Sequence, residues 1–165
     1  MPIINQHSFE IISRSPEQTR RLGMRLGTLL QKGDIICLEG DLGAGKTTFT
    51  QGIASGWGSL DAVSSPTFVL VRVYRRLDGE RLYHLDAYRL SGPAEAIDLD
   101  LDNMFAQGPL VIEWANLIKD ALPAENLWIS MKWIAGEQHD FILTAHGERY
   151  QSLLNHFKKD TYGVS

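Results

Sequence analysis

The segment from Gly40 to Thr47 constrains the fold of this chain more than any other part of its sequence. It reads Gly-Asp-Leu-Gly-Ala-Gly-Lys-Thr and matches the P-loop pattern Gly-x-x-x-x-Gly-Lys-Ser/Thr at every fixed position. In such a loop, glycines let backbone N–H groups approach phosphate oxygens, and the following helix adds its amides and positive dipole end. The pattern therefore predicts a site for a nucleoside triphosphate on a strand–turn–helix unit.

The residues around this segment favour the strand and the helix that a P-loop requires. Ile35–Leu38 is predicted as a buried strand, and a helix is predicted from Lys46 to about Ser55. Another helix is predicted from the cap Ser15 to Gly33. Further strands are predicted at 9–12, 68–74, 81–85, 110–114, 128–133 and 141–144, and further helices at 94–105 and 151–159.

This alternation predicts an α/β fold of the P-loop NTPase type. We expect a three-layer sandwich whose mixed sheet has a parallel core and antiparallel flanking strands. The chain has 165 residues, of which 44% are hydrophobic, so a single P-loop domain over residues 1–165 is expected.

Charge and cysteine content narrow the expected partners and location. The net charge of −4 gives no bulk basic excess, so direct nucleic-acid binding is not expected. The single cysteine, Cys37, excludes a disulfide within the chain and fits a reducing compartment. We see no signal peptide and no run of about 18 apolar residues, so the expected location is cytoplasmic, with no membrane contact.

ATP with Mg²⁺ is the expected ligand of the P-loop. Lys46 is expected to reach the β- and γ-phosphates with its positive charge, and the Thr47 hydroxyl to coordinate Mg²⁺. The residues predicted to bind the nucleotide are Asp41, Leu42, Gly43, Ala44, Gly45, Lys46, Thr47 and Thr48.

Two carboxylates are candidates for completing the magnesium site. Glu113 directly follows the apolar run 110–112, and Asp86 directly follows the strand-like run 82–85. An acid at this position faces the carboxyl edge of a parallel sheet, where ligands bind, although either residue could instead be a surface acid beside a turn. His84 lies next to this group, but a lone histidine is usually structural, and no catalytic role is predicted for it.

Thr67 is a further candidate, in the polar loop Ser64–Thr67 that follows the predicted P-loop helix. A threonine in such a loop can sense the γ-phosphate and Mg²⁺, as switch loops do. Taken alone, Ser-Pro-Thr is more often an ordinary turn.

Four segments taken together resemble the TsaE (YjeE) family of ATPases. They are Gly40–Thr48, Ser65–Phe68, Tyr83–Leu90 and Ile112–Trp114. The family consists of small bacterial P-loop proteins of the tRNA threonylcarbamoyladenosine pathway. The order and spacing of the four motifs make the resemblance far more specific than the P-loop alone.

The resemblance implies a cytoplasmic ATPase that works with the TsaD–TsaB pair. That assembly places threonylcarbamoyl on adenosine 37 of tRNAs that read ANN codons, so the chain would meet tRNA only through the complex. The resemblance places Glu113 at the magnesium, gives Asp86 a part in ATP hydrolysis and puts Thr67 in a switch-like loop. Since no arginine finger is evident, hydrolysis is expected to be slow alone and dependent on the partner.

Two positions depart from the family pattern. Asp100 stands where the family commonly carries glycine, and a family arginine near the late hairpin is replaced around His139.

A small-molecule kinase with a P-loop is the main alternative. Such enzymes normally cover the phosphates with a lid that carries arginine. Between Ser91 and Gly147 the sequence has Lys119 and Lys132 but no arginine, which disfavours a lid of this kind. A GTPase-like switch protein would need an Asn-Lys-x-Asp loop, which the sequence lacks.

Overall fold

A mixed β-sheet organises the fold. The computed structural model describes residues 7–41, 45–63, 71–90, 95–96 and 99–162. The strands in these residues are β1 (Ser8–Ser13), β2 (Ile35–Glu39), β3 (Val71–Arg75), β4 (Arg81–Asp86), β5 (Leu110–Glu113), β6 (Asn126–Ala135) and β7 (Gln138–His146). They form one sheet in the order β1-β7-β6-β2-β5-β4-β3.

The centre of the sheet is parallel. Strands β6, β2, β5 and β4 run in the same direction. On one side β7 pairs antiparallel with β6 and β1 pairs antiparallel with β7, and on the other side β3 pairs antiparallel with β4. This confirms the predicted parallel core with antiparallel flanks. Parallel strands end at the same edge, and the register sets Leu38 opposite Glu113 and Glu113 opposite Asp86.

Helical segments cover both faces of this sheet. They are α1 (Pro16–Gly27), α2 (Lys46–Trp57), α3 (Leu101–Gln107) and α4 (Glu148–Tyr162), with 3₁₀ helices at Ala87–Arg89 and Ala115–Ala121. On β2, Ile36 and Leu38 are buried in the layer of α1, α2 and α4, and Ile35 and Cys37 in the layer of α3 and Ala115–Ala121. The predicted three-layer sandwich is confirmed. No helix in the described ranges is long and apolar enough to cross a membrane.

Helix α1 begins where the sequence predicts and ends earlier. The Ser15 side chain accepts a hydrogen bond from the backbone N–H of Gln18, and Pro16 opens the helix. The prediction that the helix runs to Gly33 is wrong, because the last helical residue is Gly27. The Thr28 hydroxyl donates to the Arg25 carbonyl at 2.7 Å, which satisfies a carbonyl of the last turn.

The helix predicted at 94–105 is interrupted. Residues 95–96 are helical, but α3 begins only at Leu101, after Asp100 in the left-handed conformation with φ 56° and ψ 55°. A left-handed residue cannot continue a right-handed helix. Because glycine takes this conformation most easily, a glycine in the resembled family is understandable at the position of Asp100.

The remaining strands and helices match the predictions apart from their ends. Strand β3 is described from Val71, and the rest of the strand predicted from Phe68 lies outside the described residues. Strands β6 and β7 and helix α4 are each longer than predicted. The 3₁₀ helix Ala115–Ala121 was not predicted from the sequence.

Helices α1 and α2 cross at a contact lined with glycine from both helices. The four residues are Gly23, Gly27, Gly52 and Gly56. A β-carbon added at Gly23 would lie 2.3 Å from the Phe49 carbonyl oxygen, and one added at Gly52 would lie 2.1 Å from the Arg20 carbonyl oxygen. The two backbones are therefore in direct contact, and this packing positions α2, the helix that begins at the P-loop.

Replacing Gly52 by alanine is expected to lower the free energy of unfolding by about 3 kcal/mol, because the added methyl overpacks a backbone contact. Helix propensity alone would change stability in the opposite direction, by about 1 kcal/mol. Chemical denaturation of both proteins measures the difference. Gly79→Ala is the matched control: a β-carbon there meets nothing within 4 Å, so only its φ of 87° is strained, at about 1 kcal/mol. A Gly52→Ala protein as stable as the wild type would contradict the glycine contact.

Candidate functional site

The candidate site lies at the carboxyl edge of the parallel strands. Strand β2 ends at Glu39 and leads into the P-loop, β5 ends at Glu113, and β4 ends at Asp86. In open α/β sheets this edge is where ligands bind. The sheet thus brings the P-loop and both predicted carboxylates to one place.

Lys46 is the first residue of α2 and is almost completely buried, with 6% of its surface exposed. Its Nζ donates hydrogen bonds to the carbonyl oxygens of Gly40 at 2.5 Å and Asp41 at 2.8 Å. The same nitrogen lies 4.1 Å from the centre of the Trp114 ring. The amine is therefore held between the backbone carbonyls of Gly40 and Asp41 and an aromatic face that also attracts a cation.

Nearby carboxylates favour the charged form of this amine. Burial lowers the pKa of Lys46, and the negative charges of Glu113, Asp41 and Asp86 oppose that shift, with Glu113 the strongest of the three. The amine and the carboxylates of β5 and β4 thus lie close enough to interact.

The first turn of α2 is open to an anion. Gly45 caps the helix with φ 92°, a conformation that favours glycine. Among the residues that the structure describes, no side chain caps the start of the helix. No acidic residue lies in the first turn, where Thr47 and Thr48 are half-buried. Helix N-termini without a capping side chain leave amide donors available to phosphate. The predicted contacts at Leu42, Gly43 and Ala44 lie outside the described residues.

Glu113 is buried, and a histidine holds it. The carboxylate has 4% of its residue surface exposed, and its Oε2 lies 2.5 Å from Nε2 of His84, which is fully buried. Nδ1 of His84 lies 2.9 Å from the Tyr74 hydroxyl. Sequence reasoning assigned no role to His84 or Tyr74. The available signal was the spacing of His84 and Asp86, which places both on one face of a strand.

Asp86 sits opposite Glu113 and also organises the turn after β4. Its Oδ1 accepts a hydrogen bond from the backbone N–H of Tyr88 at 3.0 Å, which caps the 3₁₀ helix Ala87–Arg89. The side chain is half-buried. This capping bond holds the carboxylate at the carboxyl edge of the sheet.

Trp114 closes the site on the side of the 3₁₀ helix Ala115–Ala121. It has φ 60°, a left-handed conformation that is strained for a bulky residue. This turn directly after Glu113 places the indole against the Lys46 amine and 4.8 Å from the Tyr88 ring. Trp114 was part of a sequence motif, but its contact with Lys46 was not predicted.

A cavity of about 170 Å³ borders the P-loop. Its lining includes Gly40, Asp41, Trp114, Asn116 and Lys132. A cavity of about 230 Å³ lies between β1 and α1, beside Arg21 and Arg25, and its lining includes neither the P-loop nor the carboxylate pair.

Mg²⁺ needs few protein ligands, and the residues at the carboxyl edge are compatible with such a site. The described ranges contain no group of three or more His, Cys, Asp or Glu side chains that could hold a metal ion. Mg²⁺ instead binds through one or two carboxylates together with phosphates and water. Glu113 and the Thr47 hydroxyl are the predicted ligands that this site offers.

The structure brings together most of the predicted site residues. Lys46 and Asp41 lie at the P-loop, Thr47 and Thr48 in the first helical turn, and their roles remain predictions. Thr67 lies outside the described residues. A β-carbon at Gly45 would lie 3.9 Å from Cδ2 of His139, so the position that departs from the family pattern borders the P-loop.

Comparison with known proteins gives consistent matches over most of the chain. The family model described as "Threonylcarbamoyl adenosine biosynthesis protein TsaE" matches residues 13–140. A tRNA threonylcarbamoyladenosine biosynthesis protein TsaE from Bacillus subtilis (strain 168) is 43% identical over 141 residues, 84% of this chain and 87% of that protein. A protein of the same name from Streptomyces coelicolor is 43% identical over 137 residues, 79% of this chain and 93% of that protein.

The fold also matches a solved structure. The crystal structure of YdiB from Bacillus subtilis superimposes with a TM-score of 0.78 at 35% sequence identity, and the match covers 93% of this chain and 96% of that chain.

Proposed function

The chain belongs to the TsaE family of threonylcarbamoyl adenosine biosynthesis proteins, and on that premise we propose that it binds and hydrolyses Mg·ATP at its P-loop. The observation that carries the proposal is the placement of the Lys46 amine. It lies between the Gly40 carbonyl and the Trp114 ring, and it interacts with the charges of Glu113 and Asp86. This combination of one buried cation and two acids at a parallel edge suits a triphosphate with its metal.

Each residue has a defined part in this proposal. The Lys46 amine exchanges its carbonyl acceptors for phosphate oxygens, and the open amides of α2 bind the same anion. Thr47 and Glu113 hold Mg²⁺, which when bound neutralises charge on the phosphates. Asp86 lies opposite Glu113 and assists the attacking water. Thr67 belongs to a switch-like loop that responds to the γ-phosphate.

Hydrolysis by the chain alone is slow in this proposal. No arginine occurs between Ser91 and Gly147, so this segment offers no arginine to stabilise charge on the transferred phosphoryl group. A partner protein that completes the site would raise the rate. We propose that the partners are the TsaD and TsaB homologues, and that ATP turnover resets their complex during tRNA modification. The net charge of −4 agrees with indirect contact to tRNA.

Reconstitution with the partner pair tests this function. The purified chain is incubated with TsaD, TsaB and unmodified tRNA, and both ATP loss and threonylcarbamoyladenosine formation are measured. We expect slow ATP loss from the chain alone, a changed rate with the pair, and tRNA modification that requires the chain. If a metabolite accepts the γ-phosphate faster than water does, the chain is a kinase instead. If the pair changes neither rate nor product, the proposed partnership is wrong.

A further inference from the structure

Three buried polar side chains form a line from the edge of the sheet to the candidate metal ligand. Tyr74 on β3 is 3% exposed, His84 on β4 is fully buried, and Glu113 on β5 is 4% exposed. The Tyr74 hydroxyl lies 2.9 Å from Nδ1 of His84, and Nε2 of His84 lies 2.5 Å from Oε2 of Glu113. The line crosses three neighbouring strands and ends at the carboxyl edge.

With Glu113 ionised and His84 neutral, the hydrogen bonds of this line have a definite direction. An ionised carboxylate only accepts, so the proton between His84 and Glu113 belongs to Nε2. Nδ1 of a neutral imidazole then accepts the proton that the Tyr74 hydroxyl donates. Burial is the main cause that raises the pKa of Tyr74 to about 12, so the hydroxyl keeps this proton at neutral pH. The Tyr74 hydroxyl thereby satisfies Nδ1 and holds the imidazole ring in the orientation that brings Nε2 to Glu113.

The line also fixes how the Glu113 carboxylate is turned. A glutamate side chain has several rotatable bonds and can adopt several orientations. A buried carboxylate without a hydrogen-bond partner would also destabilise the folded protein. His84 holds Oε2, and no hydrogen bond among the described residues uses Oε1. The charge of the same carboxylate also interacts with the amine of Lys46.

We infer that Tyr74 and His84 are positioning residues that hold Glu113 in the orientation in which it takes the magnesium of the bound nucleotide. The inference rests on the proposed function and adds two residues to it. Neither side chain touches the nucleotide in this account. Hydrogen-bonded partners of metal ligands commonly change metal affinity or activity by about 10- to 100-fold when removed.

Magnesium dependence of nucleotide binding tests the inference without measuring turnover. A fluorescent ATP analogue is titrated into the chain in EDTA and again at increasing Mg²⁺. For His84→Leu we expect the Mg²⁺ concentration at half-saturation to rise about 10- to 100-fold, with unchanged affinity in EDTA. His84→Gln retains an amide donor for Glu113 and should recover part of the loss. Tyr74→Phe removes one hydroxyl and should give a smaller rise in the same direction.

Tyr83→Phe is the matched control for Tyr74→Phe. Tyr83 lies on β4 and is buried in the opposite layer, where its hydroxyl donates to Gln107 at 3.1 Å. This variant should bind Mg²⁺ and nucleotide as the wild type does. Nitrogen chemical shifts of the His84 ring give a second measurement: the wild type should show a proton on Nε2 and a hydrogen-bonded Nδ1. Tyr74→Phe should keep the Nε2 proton, and its Nδ1 resonance should shift because that nitrogen loses its hydrogen bond.

The outcomes separate this inference from the proposed function. If folded His84→Leu and Tyr74→Phe proteins keep the wild-type Mg²⁺ half-saturation, the positioning role is wrong and the proposed function stands. If the wild type itself binds no nucleotide in Mg²⁺, the proposed function fails first. Should His84→Leu not fold, Tyr74→Phe decides the question, because it changes a single oxygen atom.

Discussion

Replacing Lys46 by alanine is expected to lower the affinity of the chain for Mg·ATP by at least about 100-fold. The side chain is nearly buried, and its amine donates hydrogen bonds to the carbonyl oxygens of Gly40 and Asp41 in the P-loop segment. Losing a buried charge-assisted contact to phosphate removes about 3 kcal/mol, which corresponds to roughly a 100-fold change in Kd. Titration of both proteins with a fluorescent ATP analogue measures the loss.

Lys32→Ala is the control for Lys46→Ala. Lys32 precedes β2 at its amino end, is exposed, and forms a surface ion pair with Glu80 at 3.4 Å. Its removal should leave nucleotide affinity unchanged. A Lys46→Ala protein that retains tight nucleotide binding would contradict the P-loop assignment.

The second large effect is expected for Glu113→Gln, which should reduce the rate of ATP hydrolysis by at least about 100-fold. A loss of this size is typical when one electrostatic contact is removed from a catalytic site. The change keeps the size of the side chain and removes the negative charge that Mg²⁺ requires. Nucleotide binding in EDTA should persist, because Lys46 and the first turn of α2 are untouched. Phosphate release with and without the partner pair measures the effect.

Glu80→Gln provides the same chemical change away from the site. Glu80 lies in the turn before β4, at the opposite end of that strand from Asp86. It should hydrolyse ATP at the wild-type rate. If Glu113→Gln hydrolyses ATP as fast as the Glu80→Gln protein, Glu113 is not the metal carboxylate.

The sequence predicted those parts of the site that depend on local spacing. The P-loop, its strand and its helix are contiguous, so one pattern specifies all three. Glu113 and Asp86 were predicted as candidates because each directly follows a strand. That they lie opposite each other depends on β4 pairing with β5, and no local pattern specifies the order of strands.

The residues that sequence reasoning missed depend on tertiary contacts. Tyr74 and His84 meet only because β3 folds back on β4, and the pair reaches Glu113 only across a further strand. Trp114 contacts Lys46 because its backbone is in the left-handed conformation. Tryptophan rarely adopts this conformation, so the residue type alone would not predict the contact.

The sequence indicates the glycine face of each of the helices α1 and α2, but not that the two faces contact each other. Gly23 and Gly27 are one turn apart, as are Gly52 and Gly56, so each pair lies on one face of its helix. The partner of each face is fixed only by packing. The same limit applies to the end of α1, where tertiary structure ends the helix at Gly27 although apolar residues at helical spacing continue to Leu30.

Equilibrium titration of the wild-type chain with ATP, in Mg²⁺ and in EDTA, is the decisive test of nucleotide binding at the P-loop. We expect one saturable site per chain, tighter in Mg²⁺ than in EDTA, because Glu113 and Thr47 are expected to add the metal to the contacts that Lys46 makes. Absence of saturable ATP binding in Mg²⁺ would contradict nucleotide binding at the P-loop.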